Sequence, residues 1–340
     1  MRRRSFLAYS MGAGVAAASA SSLRVPFAVA LEGEGNLVMQ LDWKFNVQFA
    51  GLLLADHLGL YADKGLEVVI KPWESNMVVP ETVAASSMMI GCAEQNLILE
   101  AQAEGASLKA LATMFQASPY ALMTMPDSGL TTLQDLVGKT VGVHVDGVKV
   151  MELVKGVNNI APDAIKVIEI PYEDKIGRLI RGELAALQCY AVDEPIAFAN
   201  EVGKEPILLP MDAYGYDAYA QTFFTTDAML AAHGDMVKAF LEASFAGWAA
   251  ALADIPGTAT LVAEKYAEPG SKYTDVGYQT RSLELVAEYV LRGISSEQLG
   301  VIDGDRWMLA AERMAEYGII SAAPSREQAL NLSLWSGMRA

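Results

Sequence analysis

The sequence predicts an α/β fold of two lobes, each a mixed sheet flanked by helices. Strand-like runs recur between helical stretches through the first two thirds of the chain, the pattern of a parallel or mixed sheet covered on both faces. Two further strand-like runs, YALMTMP from Tyr120 and QTFFTTD from Gln221, read as segments that leave and re-enter the first lobe. At 340 residues the chain is long enough for two cores.

The first strand is read from Leu37, Met39 and Leu41 alternating with Val38 and Gln40. The helix after it is read from Leu53, Leu54, His57 and Leu58, and Gly59 ends it. Later strands are expected at Leu66 to Ile70, Met88 to Cys92, Leu108 to Met114, Thr140 to His144, Lys166 to Ile170 and Ala186 to Tyr190. The C-terminal third reads as mostly helical. Val237, Phe240, Leu241, Ser244, Trp248, Ala251 and Leu252 share one helical face, and Pro256-Gly257 is expected to end that helix. Gly304-Asp305 is expected to cap a helix whose buried side is Trp307, Ala311 and Met314.

A hydrophobic content of 52% with 19% charged residues excludes disorder, and no apolar run of about 18 residues escapes polar interruption. The first 30 residues read as an export signal cleaved near Ala30: Arg2, Arg3 and Arg4 precede Phe6 and Leu7, then a weakly apolar stretch reaches small residues at Ala28 and Ala30. RRSFL resembles a twin-arginine signal, although Ala8 stands where a lysine is common and Arg24 lies close to the cleavage region; a general secretory signal is the alternative. A periplasmic location follows from either. Without that segment 21 basic side chains face 41 acidic ones, a balance of −20 that repels nucleic acid and anionic membranes. No stable membrane insertion is expected. Cys92 and Cys189 fall in different lobes and are expected to be buried free thiols.

Candidate site residues gather at strand ends, where ligands of open α/β sheets bind. LDWKFNVQFAG places Asp42, Trp43 and Asn46 at the first turn: an indole to stack on a flat ring, and a carboxylate and an amide to bond its edge. Asp42 and Asn46 also suit a helix cap, the reading favoured for Asn46 taken alone. Trp73, then Glu94 and Gln95, then Gln116, Ser118 and Tyr120 follow later strands on the same edge. In the second lobe His144 and Asp146 follow a strand, with Asp146 expected as an N-cap that weakens any anion site there. Tyr190, Asp193 and Glu194 end another strand, and Tyr214, Tyr216 and Tyr219 add aromatic surface before the return crossing. His57, His144 and His233 form no metal spacing.

LDW(x)2N(x)4G, GLYADKGLEVVI, QASPYALM, LQDLVGKTVGV and GDRW with EYGII together resemble the thiamine-pyrimidine family over roughly residues 36 to 320. That family joins periplasmic pyrimidine-binding proteins of ABC importers to the fungal-type pyrimidine phosphate synthases. The resemblance implies a type II periplasmic binding protein fold, with lobe I at residues 31–125 and 223–340 and lobe II at 126–222. It implies a small heteroaromatic ligand between the lobes, an ABC permease as partner, no cofactor and a monomer. Alignment to the synthase branch puts Ala93 at the cofactor lysine, Leu97 at the consumed histidine and Phe49 at a further histidine, and leaves Tyr214 to Ala220 without cysteine. Lysine chemistry cannot proceed from an alanine, so a binding protein rather than an enzyme is expected. The expected cargo is a thiamine-related aminopyrimidine sandwiched by Trp43 and a second-lobe tyrosine, its amino edge read by Asp42 and Glu194, with Phe49 beside it. Another aromatic cargo such as a flavin is the alternative, and a ligand-sensing partner of a receptor is a different class again. Sulfonate or nitrate is disfavoured by Asp146 and by the shortage of basic residues at these turns.

Overall fold

The computed structural model describes residues 36–172 and 175–338, so the export signal read at residues 1–30 lies outside them. Ten strands among the described residues form two five-stranded sheets. In the first, β1 (Leu37–Gln40) lies between β2 (Val68–Lys71) and β3 (Met89–Ala93), parallel to both, and β10 (Ala220–Thr226) runs antiparallel between β3 and β4 (Leu108–Phe115). The second repeats this plan. There β6 (Thr140–Val143) lies parallel between β7 (Lys166–Glu169) and β8 (Ala186–Tyr190), and β5 (Tyr120–Thr124) runs antiparallel between β8 and β9 (Ile207–Pro210).

Each lobe therefore takes its antiparallel inner strand from the far side of a crossing. This corrects the first boundary expected from sequence. Tyr120–Thr124 pairs with β8 and β9, with Tyr120 opposite Tyr190, so the outward crossing lies at residues 116–119 and not at 125/126. The return crossing ends before Ala220, not at 222/223, because β10 pairs with β3 and β4 from its start. Both strands are buried along their whole length, and an apolar run buried on both faces carries no alternation to say which sheet it joins. Strand β9 was not read from the sequence at all.

Helices cover the sheets: α1 (Ala50–His57), α2 (Gln95–Ala103), α3 (Val145–Val157), α4 (Glu194–Val202), α5 (Asp227–Ala253), α6 (Val276–Val290) and α7 (Gly304–Glu316). Leu37, Met39 and Leu41 face a core shared with α1 and α5, whereas Val38 faces the core on the sheet's other side. Gly59, with φ +75°, ends the first helical turn region as read from sequence. Trp307, Ala311 and Met314 are the buried side of α7, but its N-cap is Asp303, whose carboxylate accepts from the Asp305 and Arg306 amides. Likewise α5 ends at Ala253, and Pro256 sits in the first turn of a new helix, Ile255–Leu261, capped by Asp254. Helix α5, interrupted by Asp235, Lys238 and Glu242, is the one described helix long and apolar enough by length and composition to cross a membrane. Here its Val237, Phe240, Leu241 and Trp248 pack into the core. Cys92 in β3 and Cys189 in β8 are free, buried thiols in separate sheets.

Helices α1 and α5 meet backbone to backbone. A Cβ on Gly247 would lie 2.1 Å from the Gly51 carbonyl oxygen and 2.7 Å from the Ala55 Cβ, and one on Gly51 would strike the Trp248 ring at 2.2 Å. Main chain cannot swing aside as a side-chain end can, so the helices must separate to admit a methyl group. Gly247→Ala is expected to lower stability by about 2 kcal/mol in urea denaturation. An unchanged midpoint would show that this helix pair is loosely held.

Candidate functional site

The carboxyl ends of β1, β3, β6 and β8 converge on a cleft of about 1030 Å³ between the two sheets. Asp42, Trp43, Trp73, Glu94, His144, Asp146, Tyr190 and Glu194 line it, as do Tyr172, Lys175, Gln188 and Gln221, which were not read from the sequence.

One wall is aromatic. Trp43 stacks on Trp73 with centroids 5.3 Å apart and planes 24° from parallel, and Tyr172 lies 4.9 Å from Trp43, 5.5 Å from Trp73 and 4.0 Å from His144. Hydrogen bonds hold the indoles by their edges: Trp43 Nε1 donates to the Tyr273 hydroxyl at 2.8 Å and Trp73 Nε1 to the Met77 carbonyl at 2.9 Å. Each indole turns one face to the other, and the stacked pair with Tyr172 lines the cleft. Tyr172 comes from the far end of edge strand β7, a short strand without a buried face to announce it.

The first lobe supplies two buried carboxyls. Burial pushes Asp42 up to about 7, while the neighbouring Gln221 amide and the Cys92 thiol, 3.8 Å from Asp42 Oδ1, offset part of the rise. Burial likewise pushes Glu94 up to about 8. Its oxygens face three hydroxyls, those of Ser118 at 3.0 Å, Tyr190, and Tyr216 at 3.1 Å. The Tyr216 hydroxyl also lies 2.8 Å from Asn96 Oδ1. With one proton to give, it donates to Asn96 and accepts from a protonated Glu94, so the bonding pattern suits the neutral carboxyl.

On the second lobe Asp146 is not the N-cap expected; that position is held by His144, and Asp146 stands in the first turn of α3, where Gln188 Nε2 donates to it at 3.2 Å. Burial raises its carboxyl. Gln188 Oε1 accepts from the His144 amide at 2.7 Å. Burial, then the nearby Lys175 charge, hold the His144 ring down at about 3, and its Nε2 has no partner among the described residues. The Tyr120 hydroxyl and Gln188 Oε1 sit where a Cβ on Gly147 would be, at 1.8 and 2.2 Å, so only glycine fits at that turn of α3.

Glu194 does not present a free carboxylate as expected. Lys175 Nζ donates to one oxygen at 2.5 Å and the Tyr190 amide to the other at 2.7 Å. Burial alone would raise this carboxyl, but Lys175 and Lys272 outweigh it and hold it at about 2. The preceding Asp193, 3% exposed, bonds away from the cleft centre, accepting from Lys272 Nζ at 2.9 Å and from the hydroxyls of Tyr273 at 3.0 Å and Tyr278 at 2.5 Å.

Other expected contacts lie off the cleft. Asn46 caps a short turn, accepting from the Gln48 amide at 2.7 Å, and Phe49 is wholly buried in the α1–α5 core. Gln95 ties Tyr219 to the Trp307 carbonyl, and Gln116 Nε2 donates to the Val301 carbonyl at 3.0 Å. Tyr214 packs at the core margin with its carbonyl bonded to Asn158. Ser118, Tyr120 and Tyr216 stand behind the cleft surface, where Ser118 and Tyr216 hold Glu94.

Seven carboxyl side chains line the cleft against two lysines, and each lysine is already paired, Lys149 with Glu100 at 2.8 Å and Lys175 with Glu194. No lining cation is left over for an anionic ligand among the described residues. Residues 46–258 match the model of the family described as NMT1/THI5 like. The chain belongs to the NMT1/THI5-like family. It is 24% identical over 290 residues to the riboflavin-binding protein RibY of Chloroflexus aurantiacus, covering 84% of this chain and 81% of that protein. It is 23% identical over 225 residues to the 4-amino-5-hydroxymethyl-2-methylpyrimidine phosphate synthase of Legionella pneumophila, 63% of this chain and 68% of that protein. Its fold matches the periplasmic aliphatic sulphonate-binding protein SsuA of Escherichia coli with a TM-score of 0.65 at 14% identity, covering 91% and 94% of the two chains. The architecture is thus that of periplasmic binding proteins of ABC import systems, the type II fold of this NMT1/THI5-like chain.

Folded Glu94 keeps its proton to about pH 8, whereas an unfolded glutamate releases it near 4.5. Between those values the native state binds more protons than the unfolded state, so stability falls as pH rises through the window. Glu94→Gln keeps a donor and an acceptor but cannot ionise. Urea denaturation near pH 5 and near pH 8 is expected to show wild type losing at least ~1 kcal/mol more than the variant between the two; equal losses would place an ionised carboxylate in the folded protein.

Proposed function

We propose that this chain is the exported solute-binding subunit of an ABC importer and that its cleft takes an uncharged, planar heteroaromatic cargo of flavin size. The aromatic wall carries the reading. Trp43, Trp73 and Tyr172 form an aromatic cluster lining a cleft of about 1030 Å³, at the upper end of the ~300–1,000 Å³ typical of drug-sized ligands. A single pyrimidine ring would fill a small part of that space. The riboflavin-binding relative, matched over most of both chains, supports the same size class.

Charge narrows the cargo further. Carboxyls outnumber lysines at the cleft and both lysines are neutralised, which disfavours a sulfonate despite the shared fold with a sulphonate binder. Asp42, pushed up to about 7 by burial, accepts when ionised and both donates and accepts when protonated, which suits the N–H and carbonyl groups of a ring edge, whereas Glu94 is committed to its three hydroxyls. Asp42 also keeps a thiamine-related aminopyrimidine as the second reading, since an amino group and a ring nitrogen are equally complementary to a carboxyl. Catalysis is disfavoured: Ala93 and Leu97 line the cleft where alignment to the synthase branch puts a lysine and a histidine.

The test is fluorescence titration of residues 31–340 with riboflavin, hydroxymethylpyrimidine and an alkyl sulfonate, repeated with Trp43→Ala. Riboflavin is expected to bind saturably with quenching of its own emission, and the variant to weaken binding about 10- to 100-fold, as for loss of one stacked ring at ~1–3 kcal/mol. Binding of the pyrimidine alone would move the site to the second reading. A response to sulfonate alone would sink both.

A further inference from the structure

We infer that Asp146 sets the charge selectivity of this cleft, admitting its cargo as the free alcohol and rejecting the phosphate ester of the same molecule. This rests on the heteroaromatic reading above and adds to it the group the cargo must not carry and the residue that enforces the rule.

The seven carboxyl side chains of the cleft are not equivalent. Three are neutralised by lysines: Glu100 by Lys149 at 2.8 Å, Asp193 by Lys272 at 2.9 Å and Glu194 by Lys175 at 2.5 Å. Glu94 keeps its proton within the hydroxyl cluster. Burial, pushing Asp42 up to about 7, leaves that group only partly ionised at neutral pH. Glu169 is exposed on edge strand β7, where water and salt screen it. Asp146 is what remains. It is partly exposed on the cleft lining, its side-chain partner is the uncharged Gln188 amide at 3.2 Å, and it has no ion-pair partner among the described residues.

The carboxylate is fixed where its charge acts on both walls. Gln188 Nε2 donates to Asp146 while Gln188 Oε1 accepts from the His144 amide at 2.7 Å, so both ends of the positioning amide are engaged. Burial raises the Asp146 carboxyl, but the Gln188 bond, the Lys175 charge and the backbone amides of Asp146 and Gly147 act against the rise and favour the ionised form. Its negative charge adds to burial in raising both Asp42 on the facing lobe and Tyr172 in the aromatic cluster. A ring stacked on that cluster therefore carries its substituents into the field of Asp146. A hydroxyl donates to a carboxylate, whereas a phosphate brings only acceptors and a like charge into a region poor in water, where repulsion is strong. Lys149 and Lys175 do not offset it, because each is bonded to a glutamate.

The experiment measures binding of riboflavin, its 5′-phosphate and its 5′-acetate ester, and of hydroxymethylpyrimidine with its phosphate and acetate esters, to wild type, Asp146→Asn and Glu169→Gln. The acetate supplies bulk without charge. Wild type is expected to prefer the alcohol of the bound series over its phosphate by at least ~10-fold and to bind the acetate more tightly than the phosphate. Asp146→Asn keeps an acceptor for Gln188 and loses the charge, so it is expected to cut the preference for alcohol over phosphate about 10-fold, and Glu169→Gln to move it less than about 2-fold. Comparison of the two esters in wild type tests the charge rule even where a variant fails to fold. Equal rejection of both esters by wild type, phosphate bound as well as alcohol, an unchanged preference in Asp146→Asn, or equal relief from Glu169→Gln would overturn the role of Asp146 and leave the cargo reading standing. Binding of no member of either series by wild type would overturn both.

Discussion

One buried carboxyl organises the junction of the two lobes. Glu94 stands at the end of β3 in the first sheet, and the hydroxyls that meet it come from Ser118 on the outward crossing, Tyr216 on the return crossing and Tyr190 at the end of β8 in the second sheet. Both chain crossings and both sheets thus converge on a single side chain. Buried polar groups are tolerated only when satisfied, and a shared carboxyl with three hydroxyls satisfies four groups at once. Asn96 completes the set by taking the Tyr216 proton. The spacing of the cleft walls is inherited from this cluster, because Tyr190 reaches Glu94 only when the ends of β3 and β8 are opposed.

The cleft built around that cluster concentrates acids where water is scarce. Asp42, Glu94 and Asp146 are all raised by burial, and Asp42 and Glu94 are raised further by the neighbouring negative charge of Asp146 and Asp42 respectively. A cargo entering the cleft removes still more water and pushes these groups the same way, toward the neutral form. An anion would be repelled by any of the three that ionised. An uncharged ring with N–H groups gains hydrogen bonds from either protonation state, since a carboxylate accepts and a carboxylic acid both donates and accepts. Lys175 does not reverse this balance, because Glu194 lies 2.5 Å from its ammonium.

The parallel strands and the residues at their ends were legible in the sequence because they follow from local rules. β1, β3, β6 and β8 are short apolar runs closed by turns, and Asp42, Trp43, Glu94, His144 and Tyr190 come immediately after or at the end of them. What was misread depends on pairing between distant segments. Tyr120–Thr124 belongs to the second sheet only because it meets β8 and β9, the latter 87 residues on at Leu122 opposite Leu209. Glu194 looked free because its partner Lys175 is 19 residues upstream. Asn46 and Phe49 sit in the same motif as Trp43, but the turn that exposes the indole buries both of them, one as a cap and one as core. Gln221 was not read because a left-handed backbone at a glutamine leaves no sign in the local sequence.

The aromatic wall is itself wired to the second lobe. Trp43 Nε1 donates to the Tyr273 hydroxyl, which in turn donates its proton to Asp193 Oδ2 at 3.0 Å, and Asp193 stands at the start of α4 next to β8. The ring that would stack on cargo is therefore oriented through a tyrosine by a carboxylate of the opposite lobe. Asp193 also receives Lys272 and Tyr278, so its partners all come from the C-terminal segment that packs with the first lobe. A hydrogen bond to a charged group contributes about 1.5–3 kcal/mol when buried, and much of that is recovered from water once the carboxylate is exposed. Separation of the lobes would trade these bonds for hydration at modest net cost while releasing the Trp43 edge. Under the proposed stacking, cargo on Trp43 would favour the orientation that Asp193 also favours, so the two interactions would reinforce each other through the Tyr273 hydroxyl.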